Sequence, residues 1–207
     1  EIAASLGTEV AGLLARTIGW LCEGQIEELR HTYDVGRTEA SYFASIHGKT
    51  ASLYGTAARI GGIAAGHDRP LIDALTEYGN SYGMVFQIVY DILDITATDE
   101  QLGKPAGHDI VEGVYTLPVL RTLALGLPAS DELADLLGSP LDAAAQDKAL
   151  AILRSNDGLE SSIETAQDYV DRAIAACDGF ADSPATEALR AAPGALIASV
   201  SVAVLNS

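Results

Sequence analysis

Apolar residues recur along this chain at three- and four-residue steps, the period of a helix face rather than the alternation of a strand. Val10, Leu13, Leu14, Thr17, Ile18, Leu21 and Cys22 form the first stripe, and Gln25, Ile26 and Leu29 continue it. Asp34 and Gly36 interrupt the pattern. A short helix is predicted from Arg37 or Thr38 through Ile46, with Gly48 as its end. The next is predicted from about Thr50 to Ala65, across Gly55, Gly61 and Gly62. Glycine inside a helix costs about 1 kcal/mol against alanine, so several on one helix imply close backbone approach to a neighbour or a ligand.

Pro70 suits the first turn of the longest helix, predicted to reach Ile95. A Gly-rich, polar stretch, Thr96 to Tyr115, interrupts the pattern before Pro118 opens another helix. Helices are predicted at Asp131–Leu137, Asp142–Arg154 and Gly158–Cys177, then from Pro184 to Leu205 with Pro193 kinking or splitting the last. No strand pair, internal repeat or linker interrupts this order. The expectation is one all-α domain over residues 1–207.

Composition sharpens that expectation. Hydrophobic residues make up 48% of the 207, which excludes a disordered chain, and aromatics only 6%, which favours helices over sheets. The formal net charge of -17 repels nucleic acid and anionic lipid. A phosphate ligand would bind only where lysines or a divalent cation reverse that field. The longest apolar tract, Ala195 to Leu205, is shorter than the ~20 residues a spanning helix needs, so no transmembrane segment is expected. Cys22 and Cys177 lack metal-ligand spacing and read as two free, buried thiols, which suits a cytoplasmic protein. The chain opens at Glu1 directly into a helical pattern, and the expectation is that it is the later part of a longer protein.

Within the longest helix, Phe86-Gln87-Ile88-Val89-Tyr90-Asp91-Ile92-Leu93-Asp94 sets an amide and two carboxylates among apolar neighbours. Gln87, Asp91 and Asp94 stand at i, i+4 and i+7, on one helix face about 10 Å long. Carboxylates in apolar surroundings are costly unless something positive binds them. Two of them one turn apart suit a hard divalent cation such as Mg²⁺, often shared with a phosphate. An acidic helix end facing water would show the same spacing. Gly48-Lys49-Thr50 offers a lysine, a hydroxyl and backbone N–H groups to an anion, or only a solvated lysine beside a helix cap. Lys104, in the Gly-rich stretch, is open to the same two readings. His31, His47, His67 and His108 show no triad or metal spacing and read as surface or incidental residues.

The order of these elements resembles the trans-isoprenyl diphosphate synthases, or polyprenyl synthetases. Gly24-Gln25, Lys49-Thr50-Ala51-Ser52-Leu53, Phe86-Gln87 with the acidic turns after it, Gly103-Lys104-Pro105, Gly107-His108-Asp109 and Glu112 through Pro118 follow that family's pattern in sequence. The resemblance implies a bundle of long antiparallel helices around a central apolar cavity. It implies condensation of isopentenyl diphosphate with an allylic prenyl diphosphate, through Mg²⁺-assisted ionisation and attack of the alkene on the resulting carbocation. It implies contacts of Lys49, Thr50, Gln87 and Lys104 with the allylic diphosphate or its metals, Phe86 beside the prenyl groups, and Asp91 and Asp94 as Mg²⁺ ligands, directly or through water. A homodimer, or assembly with a related subunit, is implied as well.

Three departures from the family pattern stand out. Tyr90 takes the place of the first of two adjacent aspartates, and a tyrosine does not bring the negative charge of a carboxylate. Val114 stands where lysine is common. No two aspartates are adjacent anywhere, so the first aspartate-rich motif and the N-terminal helices are expected to lie upstream of Glu1 or to be missing. Three readings follow: a prenyl-elongating synthase, a catalytically impaired partner or regulatory subunit, and a terpene synthase-like enzyme that ionises a prenyl diphosphate for another acceptor.

Overall fold

Helices form wherever the apolar spacing is helical in the computed structural model, which describes residues 2–97 and 106–205. Among the described residues no strand occurs, and the all-α expectation holds. A short turn, α1 (Ile2–Ser5), precedes α2 (Thr8–Arg30). Helix α3 (Glu39–Ile46) passes into a π-helical turn, His47–Ala51, and on into α4 (Ser52–Ala64). The longest helix, α5, spans Arg69–Thr96. After it come α6 (His108–Val111), α7 (Leu117–Ala124), α8 (Pro128–Leu136), α9 (Ala143–Arg154), α10 (Asp157–Ala176) and α11 (Pro184–Leu205). Local chemistry sets several starts. The Asp68 carboxylate accepts the Leu71 N–H at 3.2 Å ahead of α5, Pro118 and Pro128 occupy first turns, and Asp142 caps α9 by accepting the Ala145 N–H at 2.9 Å.

The chain divides into two compact units, each drawn from three segments. The first comprises Glu1–Ile26, Ala44–Gln87 and Gln167–Leu196. Its helices meet backbone to backbone. A Cβ on Gly83 would lie 2.6 Å from the Ala51 Cα, and one on Gly79 would lie 2.5 Å from the Tyr54 carbonyl, which locks α5 against the start of α4. Thr17 and Thr56 pair their hydroxyls at 2.7 Å between α2 and α4. At the far end Tyr78, Ala173 and Cys177 form a buried cluster with Tyr82, Phe180 and Leu189, and Tyr78 donates its phenol to the Leu189 carbonyl at 2.9 Å.

The second unit comprises Glu27–Phe43, Ile88–Ala166 and Ile197–Ser207. Ile88, Val89, Ile92, Ile110, Leu117, Leu133 and Leu153 are fully buried in it. Three arginines tie its loops to its helices. Arg37 donates to the Tyr115 carbonyl at 3.0 Å, Arg154 to the Ile95 carbonyl at 2.7 Å, and Arg121 to Glu39, Thr165 and the Ser161 carbonyl.

Gly48 does not end a helix, contrary to the expectation from sequence. It lies inside the π-helical turn, where a Cβ would sit 2.7 Å from the Trp20 carbonyl and 3.1 Å from the Gly24 Cα. Its small size serves packing against α2, not termination. Cys22 is exposed, unlike Cys177, because the α2 stripe divides: Val10, Leu13 and Thr17 are buried while Leu14, Ile18, Ile26 and Leu29 are exposed. Pro193 lies inside α11 and does not split it. His31 is more than incidental, since its ring lies 2.6 Å from Asp34 Oδ2 and 3.4 Å from Glu27 Oε1. No helix among the described residues is long and apolar enough to cross a membrane.

Gly24 supplies the other half of the α2 seam. A Cβ there would stand 2.5 Å from the Lys49 backbone nitrogen and 2.6 Å from the Ser45 carbonyl, neither of which a rotamer change can move. Gly24→Ala is therefore expected to destabilise by about 2 kcal/mol, despite alanine's better helix propensity. At this chain length that is a melting-point loss of about 4–8 °C. Gly19, on the same helix, has nothing within 4 Å of such a Cβ, so Gly19→Ala should stabilise by up to about 1 kcal/mol. Thermal melts of the two variants check this, and shifts of equal sign would refute the seam.

Candidate functional site

The π-helical turn places Lys49 and Thr50 in the first unit. A π turn carries one residue more than an α turn and is found mostly at functional positions. Here Ser52 donates its hydroxyl to the Gly48 carbonyl at 2.6 Å, inside the turn, while α2 presses on the backbone through Gly24. Thr50 is buried and Lys49 half-buried. The Thr50 hydroxyl donates to Gln87 Oε1 at 2.8 Å, which sets the side-chain amide of Gln87 with its oxygen toward Thr50 and its NH₂ as the donor edge. Phe86, the residue before Gln87, is half-buried, its ring centroid 5.3 Å from that of Tyr54, which in turn meets Tyr82 at 5.4 Å. Thr50 and Gln87 are thus joined, with Lys49 and the ring-packed Phe86 next to them in sequence, and a lysine, a hydroxyl, an amide donor and an aromatic ring are groups able to take an anion bearing an apolar tail.

Helix α5 passes from the first unit to the second after Gln87. In the second unit Asp91 and Asp94 are both only 3% exposed, which rules out the water-facing acidic terminus that their spacing also allowed. Asp91 Oδ2 accepts a 2.6 Å hydrogen bond from the phenol of Tyr42, itself 1% exposed. Burial, and then the charge of Asp91 and this hydrogen bond, push the Tyr42 phenol well above its ordinary range, so it remains the donor. Asp94 anchors the chain where it returns to α5. Its carboxylate Oδ2 accepts the Asp109 N–H at 3.0 Å and its carbonyl accepts the Gly107 N–H at 2.7 Å, with Gly107 left-handed at φ 71°.

Tyr90 is 49% exposed, so the residue that departs from the expected acidic pair lies on the wetter flank of α5. Lys104 lies outside the described residues. Among the described residues no group of three or more acidic, histidine or cysteine side chains gathers as a metal cage. Two buried carboxylates fit a Mg²⁺-type ion nevertheless, because that ion commonly takes one or two carboxylates and completes its shell with phosphate and water. Sequence reasoning missed Tyr42 and Arg37. Tyr42 and Ile46, four residues apart and both buried, mark the inner face of α3, but nothing in that spacing says where the phenol points.

The polyprenyl synthetase family model matches residues 1–153. The chain is 36% identical over 182 residues to heptaprenyl diphosphate synthase component 2 of Geobacillus stearothermophilus, covering 86% of this chain and 55% of that protein. Among solved structures, it superposes on a polyprenyl synthase from Caulobacter crescentus, complexed with calcium and isoprenyl diphosphate, with a TM-score of 0.87 and 31% identity. That match covers 92% of this chain and 59% of the other. A geranylgeranyl pyrophosphate synthase from Corynebacterium glutamicum, also complexed with calcium and isoprenyl diphosphate, gives 0.85 and 36%, over 95% and 62%. The chain thus spans little more than half the length of these relatives.

Proposed function

The chain belongs to the polyprenyl synthetase family, and from that premise we propose that the protein is a prenyltransferase that condenses isopentenyl diphosphate with an allylic prenyl diphosphate. The observation that carries the reading is the Thr50–Gln87 hydrogen bond beside Lys49, with Asp91 and Asp94 buried on the next turns of α5. Lys49, Thr50 and the Gln87 amide would bind oxygens of the allylic diphosphate, and Lys104 would add positive charge. Phe86 would lie against the first prenyl unit. Asp91 and Asp94 would hold Mg²⁺, a finer choice than the calcium found with the two solved relatives. When bound, the ion would neutralise charge building on the leaving diphosphate. In a chain of net charge -17, Lys49 and Lys104 would keep that anion attracted as the C–O bond breaks. The attacking nucleophile is the alkene of isopentenyl diphosphate, so no side-chain nucleophile is required, and the released diphosphate would take the proton that restores the double bond.

We also place the protein in the cytoplasm, in keeping with two cysteines that are not paired, and expect assembly as a homodimer or with a related subunit. The name of the Geobacillus relative, a component 2, supports the second arrangement. Incubating the full-length protein with Mg²⁺, labelled isopentenyl diphosphate and dimethylallyl, geranyl or farnesyl diphosphate should yield elongated products. No elongation from any of the three would overturn the reading.

Tyr90 favours a second reading, a catalytically impaired partner subunit, because a neutral phenol stands where a charged metal ligand is expected. Tyr90→Asp separates the two. Under the first reading the unaltered protein elongates and Tyr90→Asp raises its turnover by about tenfold, on the scale of one restored metal-site interaction. Under the second the unaltered protein is inactive alone and gains activity with the aspartate.

A further inference from the structure

We propose that Tyr42 is a positioning residue that aims the carboxylate of Asp91 at a divalent cation; this rests on the reading of Asp91 as a metal ligand. The Tyr42 phenol has one hydrogen to give and spends it on Asp91 Oδ2 at 2.6 Å, the length of a charge-assisted O–H···O⁻ bond. Other tyrosines of the chain use theirs differently. Tyr33 donates to the Val111 carbonyl at 3.0 Å and Tyr78 to the Leu189 carbonyl at 2.9 Å, contacts that serve packing. Tyr42 instead serves a buried carboxylate, a group that a fold alone would replace at a profit with an amide or an apolar side chain.

The phenol is itself held. Its ring meets Phe43 edge to face at 5.3 Å and lies 5.6 Å from the guanidinium carbon of Arg37. Arg37, 5% exposed, is tied to the Tyr115 carbonyl at 3.0 Å, and the Tyr115 hydroxyl accepts the Gly138 N–H at 2.7 Å. Tyr42 is therefore a rigid strut, not a side chain free to follow Asp91. The bond to Oδ2 restricts how the carboxylate can turn, and so sets the orientation in which Asp91 would meet a cation. Such supporting partners commonly change metal affinity 10- to 100-fold when removed.

The test measures Mn²⁺ affinity of the full-length protein in the presence of inorganic diphosphate, by the electron paramagnetic resonance of free Mn²⁺. Tyr42→Phe keeps the ring in its slot and removes only the hydroxyl; it should weaken Mn²⁺ binding about tenfold and raise the Mg²⁺ concentration needed for half-maximal turnover in parallel. Asp91→Asn should weaken binding at least as much, and adding Tyr42→Phe to it should cost nothing more. Unchanged affinity in Tyr42→Phe alongside a loss in Asp91→Asn would overturn the positioning role and leave the metal reading standing. Unchanged affinity in Asp91→Asn would overturn the metal reading itself. A Tyr42→Phe effect that persists in the Asp91→Asn background would also overturn the proposal, since the tyrosine would then act by another route. Should Tyr42→Phe fail to fold, 3-fluorotyrosine at position 42 preserves ring and hydroxyl while strengthening the donor. Because ring and hydroxyl keep their places, Mn²⁺ affinity should change by no more than about threefold, and a tenfold loss would overturn the strut, since the tyrosine would then act through the charge it draws from Asp91.

Discussion

Lys49→Ala is expected to lower kcat/KM for the allylic diphosphate about 10²–10³-fold, the scale seen when one preorganised donor to a developing anion is removed. The melting temperature should move little. The separation of the two effects follows from how the side chain is carried. The Lys49 backbone is held from outside by the Gly24 approach and from within by the π turn, so truncation beyond Cβ leaves its path intact. The charge is a different matter. This chain has 12 basic against 29 acidic residues, and Lys49, a half-buried residue next in sequence to the Thr50 that bonds Gln87, would act where charges are less screened than in open water. Lys49→Arg keeps the charge but replaces a compact ammonium with a planar fork, and should recover only part of the loss. Steady-state kinetics of the two variants decide the matter. A loss under threefold in Lys49→Ala would mean that the diphosphate is held elsewhere.

What the sequence disclosed and what it withheld divides along physical lines. Helix identity was legible because it is local: Pro70, Pro118 and the three- and four-residue apolar steps state it within one or two turns, and α5 runs over Arg69–Thr96, within a residue of its predicted C-terminal end. The Lys49-Thr50 and Gln87 elements were legible because they carry unusual polar chemistry on apolar helices, and the structure joins Thr50 to Gln87. Gly48 was misread because a glycine that ends a helix and one that admits a neighbouring backbone look alike in sequence. Only the 2.7 Å approach to the Trp20 carbonyl distinguishes them. Cys22 was misread for a similar reason. A helix stripe shows which residues are apolar, not how much of the stripe another element covers. Tyr42 went unseen because a buried tyrosine's partner lies 49 positions away, across a tertiary contact that no periodicity encodes.

Asp91→Asn and Asp94→Asn are expected to part company in stability while agreeing in activity. Each should cut turnover by about 10²–10³-fold if the carboxylates hold the cation, because an amide brings no charge to it. Asp91 is buried with its Oδ2 on a phenol donor, and an asparagine oxygen can accept the same bond. Removing a buried charge also removes its desolvation cost, so Asp91→Asn should leave stability unchanged or raise it by about 1 kcal/mol. Asp94 has structural work besides. Its carboxylate receives the Asp109 N–H while its carbonyl receives that of Gly107, and together these hold the entry to α6. Asp94→Asn gains the same relief from desolvation, but the backbone N–H of Asp109, unlike the Tyr42 hydroxyl, cannot turn to suit a weaker neutral acceptor, so the net cost should be about 1 kcal/mol. Urea melts paired with initial-rate assays over a range of Mg²⁺ concentrations resolve both quantities. If Asp91→Asn proves the more destabilising of the two while retaining activity, Asp91 is a structural anchor and the cation lies elsewhere. If both lose turnover and only Asp94→Asn loses stability, one helix face divides its carboxylates between binding a cation and fastening a loop.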